Sequence, residues 1–299
     1  MNGLSWLKSM VKPMHMLLLI VVVAAVAAGL LVWSTLIRVR TATSSAELRR
    51  IEDISQEAWG RLSEKTVFFG HRSVGNNIVD GIRDLIAQRK VPNLNVVETK
   101  DPEKVVGPML AHGLVGHNLK PETKIAEFKK VMEGGLAEKV DIAFFKFCYV
   151  DIGINSDLDA ILTGYCQAME ALQAQFPEVL FVHVTVPLGG RPRAAKAVLK
   201  ASIKRAIGRP PVLRENEVRS RYNEMLRERF SEKEPLFDLA LYETLGPEGQ
   251  RCYALRNGQE VPVLAGEYTD DGGHLNATGR QHVAEQLLIE LLNLANRSQ

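Results

Sequence analysis

The residues able to do chemistry fall into two stretches far apart in the chain. In TVFFGHRSVGNNIVDG, residues 66–81, the apolar run Val67, Phe68 and Phe69 gives way to a polar turn bracketed by Gly70 and Gly75, and that turn presents Ser73. Ile78, Val79, Ile82, Leu85 and Ile86 then recur at helical spacing, so the serine lies between a buried strand and a helix. Open α/β sheets bind ligands at the carboxyl ends of strands, and glycine lets the backbone turn sharply there. The same position suits a helix N-cap, where serine is favoured for purely local reasons. The second stretch, YTDDGGHLNATGRQHV at 268–283, sets Asp271 and His274 three residues apart across two glycines, ahead of a closing helix. A serine hydroxyl needs a base to take its proton, and the base needs an acid to fix its tautomer and stabilise the imidazolium. Ser73, His274 and Asp271 are thus candidates for nucleophile, base and acid.

These blocks resemble those of the SGNH, or GDSL-like, hydrolases. In that family the nucleophilic Ser follows the first strand, a Gly and an Asn from two middle blocks help to form the oxyanion hole, and a terminal D-x-x-H supplies acid and base. The resemblance runs from Thr66 to Leu292. It implies Ser73 as nucleophile, His274 as base, and Asp271 rather than Asp270 as its partner. For the oxyanion hole it implies the amides of Ser73 and Gly116, with Asn118 beside them. Two blocks depart from the pattern. The usual G-D-S is Gly70-His71-Arg72-Ser73, and the usual G-x-N-D is replaced by Lys146-Phe147-Cys148-Tyr149-Val150-Asp151. The missing Asn leaves Tyr149, Asn155 or Asn118 as substitute donors. Arg72, next to the nucleophile, either stabilises negative charge or reaches into solvent, the expected role being the second.

The implied fold is a three-layer α/β/α, flavodoxin-like SGNH hydrolase fold. The implied activity is that of a serine esterase on an acyl ester, an O-acetylated carbohydrate among the options, without a cofactor. Transfer of the acyl group to a sugar hydroxyl would make the same site an O-acyltransferase. The altered blocks also admit a non-catalytic binding or scaffold protein that retains the fold.

The elements that must position these groups alternate. Besides the strand before Ser73, apolar runs at 94–98, 140–147, 179–186 and 236–241 give a parallel sheet of about five strands, with amphipathic helices between them. Helices are expected after Pro121, after a cap at Asp157, over 212–230 and over 279–294, and 246–266 reads as a loop with a short hairpin over the pocket. The stretch 100–119 also reads as a loop. It holds His112 and His117, but no Cys or carboxylate stands at ligand spacing, so no metal is expected. Arg191, Arg193, Lys196, Lys200, Lys204, Arg205 and Arg209 form a segment without any acid. It is a solvated basic helix, or else a lid or docking surface for an anionic partner such as phospholipid head groups or an acidic polysaccharide.

The domain plan follows from the first third of the chain. A tail at 1–13 precedes the run 14–37, in which His15 is the only titratable residue and Trp33 sits near the far edge. Such a run is long enough to cross a ~30 Å hydrocarbon core. Ala25-Val26-Ala27 could also serve as a signal-peptide cleavage site, but the apolar run continues through Leu30, Leu31, Val32 and Trp33 beyond it, so the run is expected to be an uncleaved single-pass anchor. Residues 38–62 are expected to be a polar stalk and 63–299 the hydrolase-like domain. Lys8 and Lys12 before the run and Arg38, Arg40, Arg49 and Arg50 after it leave orientation open by charge. The expectation adopted is an extracytoplasmic, periplasmic catalytic domain. A net charge of +2 gives no basis for nucleic-acid binding. Cys148, Cys166 and Cys252 have no metal-type spacing and are expected to be free thiols.

Overall fold

In this computed structural model the described residues are 22–23, 39–42, 48–92, 94–207 and 211–296. Among them no helix is long and apolar enough to cross a membrane. The run 14–37 lies outside the described residues apart from Val22 and Val23.

The sheet is built from short strands buried on both faces, hence their continuous apolar sequences. They are β2 (Thr66–His71), β3 (Val96–Glu98), β4 (Met109–Leu114), β5 (Ile142–Phe145), β6 (Leu180–Val184) and β7 (Leu236–Phe237). They lie in the order β3-β4-β2-β5-β6-β7, and every neighbouring pair is parallel. The chain leaves β2 first toward β4 and β3, then returns to place β5, β6 and β7 on the other side. That reversal opens a crevice at the carboxyl end of β2, where the chain runs into Ser73.

The sheet has six strands rather than about five, because β4 lies inside the stretch that reads as a loop. Its sequence MLAHGL carries a histidine and a glycine in mid-strand, which mask the apolar run. The last expected strand is also shorter: β7 stops at Phe237, and Asp238 caps a helix, α7 (Leu239–Thr244), by accepting from the Leu241 amide.

Helices cover both faces. On one, α1 (Gln56–Ser63), α2 (Val74–Ala87) and α8 (Ala277–Ala295) pack with Val67 and Phe69. On the other, α3 (Pro121–Val131), α4 (Leu158–Gln175) and α6 (Val212–Phe230) pack with Phe68 and Phe145. The alternation of 67, 68 and 69 between two cores is the two-residue period of a strand. The remaining helix, α5 (Ala195–Ala206), falls in the basic segment.

Residues expected to form a stalk are instead packed on this domain where they are described. The strand β1 (Val39–Ala42) pairs antiparallel with β8 (Arg251–Arg256), which forms a hairpin with β9 (Gln259–Pro262). Ile51, Trp59 and Leu62 are buried in the same core as α8, and the Ile51 amide donates to Glu285 Oε1 at 2.9 Å. Their apolar side chains are what make the segment dock.

Candidate active site

Ser73 sits between β2 and α2 with φ 55° and ψ −113°, a conformation that a residue with a Cβ adopts only under constraint. It forms no side-chain capping bond to α2, so the local N-cap reading of this serine does not hold. The turn is tight because Gly75 lies against the strand: a Cβ there would come within 2.3 Å of His71 Cβ. His71 is itself buried beneath the turn, its Nε2 3.0 Å from His112 Nδ1, and burial lowers its pKa to about 3. It is a neutral packing group, and His112 is bonded to it rather than placed with His117.

The terminal loop meets the serine directly. Ser73 Oγ lies 2.8 Å from His274 Nε2, and His274 Nδ1 lies 2.7 Å from Asp271 Oδ2. The other oxygen of Asp271 accepts the amides of Gly273 at 2.9 Å and His274 at 2.8 Å. The bond to His274, together with those amides, holds the Asp271 carboxyl well below the usual carboxylate range. In return, the hydrogen bond to Asp271 raises the His274 pKa above its ordinary 6.5, against burial and the nearby Lys146 ammonium. The loop is tied to the serine helix where the Leu275 amide donates to Asn77 Oδ1 at 3.2 Å. Asp270 is outside the relay; its carbonyl accepts the amides of Arg193 and Ala194. The His274 and Asp271 side chains are each 46% exposed, so the site is open enough for a substrate to reach.

The expected oxyanion donors fare differently. The Gly116 amide donates to Glu127 Oε2 at 2.7 Å, which corrects its reading as a free donor: α3 brings a carboxylate that the sequence pattern did not foresee. Asn118 is exposed, and its side-chain oxygen accepts from Lys124 Nζ at 3.1 Å. The Ser73 amide has no acceptor among the described residues. Arg72 does not reach into solvent with its Nε, which donates to the carbonyls of Val115, at 3.3 Å, and Gly116.

The block Lys146-Phe147-Cys148-Tyr149-Val150-Asp151 serves as a brace. Asp151 is buried and ion-paired with Lys124, both side chains having no exposed surface, and it accepts the amides of Cys148 at 2.6 Å and Leu119 at 2.8 Å. Cys148 Sγ in turn donates to the Arg72 carbonyl at 3.3 Å, one residue before Ser73. Lys146 at the end of β5 is buried, donates to the Phe147 carbonyl at 3.0 Å, and has its pKa lowered by burial. Tyr149 faces the site, its ring edge-on to His274 with centroids 6.0 Å apart. Its hydroxyl is so close to Gly273 that a Cβ there would meet it at 2.7 Å. Of the proposed substitutes for the missing Asn, it alone contacts the relay; Asn155 is exposed.

Arg219 belongs to no motif in the sequence that would mark it. It is buried on α6 with its guanidinium 5.6 Å from the centre of the Tyr149 ring, and its Nε donates to the Tyr149 carbonyl at 2.6 Å. Asn216 and Asn223 on the same helix bond both backbone groups of Gly189 and Val186. The available signal was phase: positions 216, 219 and 223 share the helical stripe of Leu226 and Phe230, so polar residues there face inward and need partners.

No protein-family model matches the chain, and no curated protein matches it. Its solved structural neighbours include one assigned as a platelet activating factor from Streptococcus pneumonia, with TM-score 0.45 and 15% identity, covering 81% of this chain and 92% of that one. A second is the periplasmic domain of a lipopolysaccharide acetyltransferase from Salmonella ser. Paratyphi A, with TM-score 0.42 and 12% identity, covering 80% and 90%. A third, assigned to the G-D-S-L family of lipolytic proteins, comes from Desulfitobacterium hafniense DCB-2, with TM-score 0.42 and 12% identity, covering 76% and 99%.

Proposed function

We propose that the chain is a divergent SGNH-type serine hydrolase or acyltransferase acting on an acyl ester. The observation that carries this reading is the unbroken relay from Ser73 through His274 to Asp271, with the serine strained at the strand end. Ser73 Oγ attacks the acyl carbonyl while His274 Nε2 takes its proton, and Asp271 holds the ring and stabilises the imidazolium. When the tetrahedral intermediate collapses, His274 returns that proton to the leaving alcohol, and an acyl-serine remains. A second hydroxyl, from water or from a sugar, is deprotonated by His274 and takes the acyl group, and His274 returns that proton to Ser73 Oγ as the acyl-serine bond breaks. The oxyanion is held by the Ser73 amide and by the Tyr149 hydroxyl in place of the family's Asn.

The same proposal assigns 14–37 as a membrane anchor with the catalytic domain extracytoplasmic. Because β1 begins at Val39, such an anchor would hold the domain directly against the bilayer. Carbonate extraction and protease protection of the full chain in membranes test that assignment.

The chemistry is tested by turnover of short-chain p-nitrophenyl esters and fluorophosphonate labelling of the full chain and its Ser73→Ala and His274→Ala variants. Turnover and labelling that vanish in both variants support the reading. A folded protein that neither turns over nor labels, with and without sugar acceptors, would overturn it in favour of a binding role.

A further inference from the structure

The acid-free segment 191–209 contains α5, which rests on the domain through Val198 and Ala201. Its opposite side stands in solvent: Leu199 is 42% exposed, Ile203 55% and Ile207 72%. These residues fall four apart and form one stripe on the helix. Ile207 keeps the register because its amide donates to the Ile203 carbonyl at 3.1 Å. Lys196 and Lys200 are exposed and border that stripe. Single apolar side chains in water need no explanation, whereas an apolar stripe flanked by lysines, in a segment lacking any acid, is the pattern of a helix lying in a membrane interface.

The start of the segment is fixed to the loop that carries the relay. The Gly190 amide donates to the Gly272 carbonyl at 2.8 Å, and the amides of Arg193 and Ala194 donate to the Asp270 carbonyl at 2.9 and 3.0 Å. The start of α5 is thereby anchored to the loop that carries Asp271 and His274.

We infer that α5 is an interfacial helix that docks the domain on anionic phospholipid. Charge alone would equally suit an acidic polysaccharide, but a polysaccharide would leave Leu199, Ile203 and Ile207 in water. A bilayer accepts both the cations, at its headgroups, and the stripe, at the acyl boundary. Docking does not depend on the chemistry at Ser73.

The test uses the full chain carrying Cys166→Ser and Leu199→Cys, labelled with the environment-sensitive dye NBD; the other two cysteines are buried. Vesicles are phosphatidylcholine alone or with about 30% phosphatidylglycerol, enough to create a negative surface potential. The expected result is a blue-shifted, stronger emission on the anionic vesicles that is reversed by salt. Lys196→Glu/Lys200→Glu should weaken it by about fivefold per lysine, with an unchanged melting temperature showing that the variant is folded. Equal emission on neutral and anionic vesicles would overturn the inference. So would a response to soluble alginate in preference to vesicles, which would indicate a polysaccharide surface, or a response to the acyl ester alone, which would indicate a lid.

Discussion

The two halves of the candidate site are built on opposite plans. The relay half is a short loop that closes on itself: Asp271 receives the His274 ring and the amides of Gly273 and His274. Asp271 and His274 are therefore oriented by four consecutive residues. The oxyanion half is assembled from separate segments around the Lys124–Asp151 pair. There Gly116 gives its amide to Glu127, and Leu119 and Cys148 give theirs to Asp151. A local motif keeps its chemistry and its recognisable sequence together. A distributed one uses its polar groups for rigidity and has few left to offer a substrate.

The comparison can be broken most severely at the relay. Ser73→Ala is expected to lower kcat by about 10⁶ with little change in urea unfolding, and Asp271→Asn by about 10⁴ with a modest loss of stability, since the ionised carboxylate is held by the His274 ring and two amides. The reverse holds across the site. Lys124→Met strands a buried carboxylate and is expected to cost about 3–5 kcal/mol of stability, read from the urea midpoint; loss of activity without loss of stability would contradict the bracing role. Tyr149→Phe should cut kcat by about 10² at nearly constant KM if its hydroxyl donates to the oxyanion. An unchanged kcat would leave the Ser73 amide as the proposed donor.

The smallest effect is the sharpest on mechanism. His274 must be neutral to accept a proton, so kcat/KM should rise with pH through its pKa, which the bond to Asp271 places above 6.5. Lys146 opposes that shift. Lys146→Met should therefore move the acid limb to higher pH, and Asp271→Asn should move it lower. A limb that ignores both substitutions would mean another group controls the profile.

The relay was legible because its residue types and spacing are short-range facts: Asp271 and His274 sit on one loop, and Ser73 follows a strand that reads plainly as VFF. The Gly116 amide was not legible in the same way. Whether a backbone donor is free depends on which side chain a distant helix delivers, and Glu127 is on α3. β4 was hidden for a related reason: buried on both faces between β2 and β3, it tolerates His112 because that ring finds a partner in His71, which no local pattern reports. Beyond helical phase, nothing local to the sequence shows that Arg219, Asn216 and Asn223 of α6 are buried. Their burial follows from carbonyls and amides on neighbouring turns.

The backbone angle at Ser73 makes the proposed nucleophile a fault line in the fold. A φ of 55° costs a side-chain-bearing residue about 1–3 kcal/mol, part of which glycine would recover despite its looser unfolded chain. Ser73→Gly should then melt a few degrees above the parent, at roughly 2–4 °C per kcal/mol for a domain of this size. Were endurance alone under selection, glycine would be favoured at this position. A serine at this position, if it is the proposed nucleophile, trades thermal robustness for the hydroxyl that the chemistry needs.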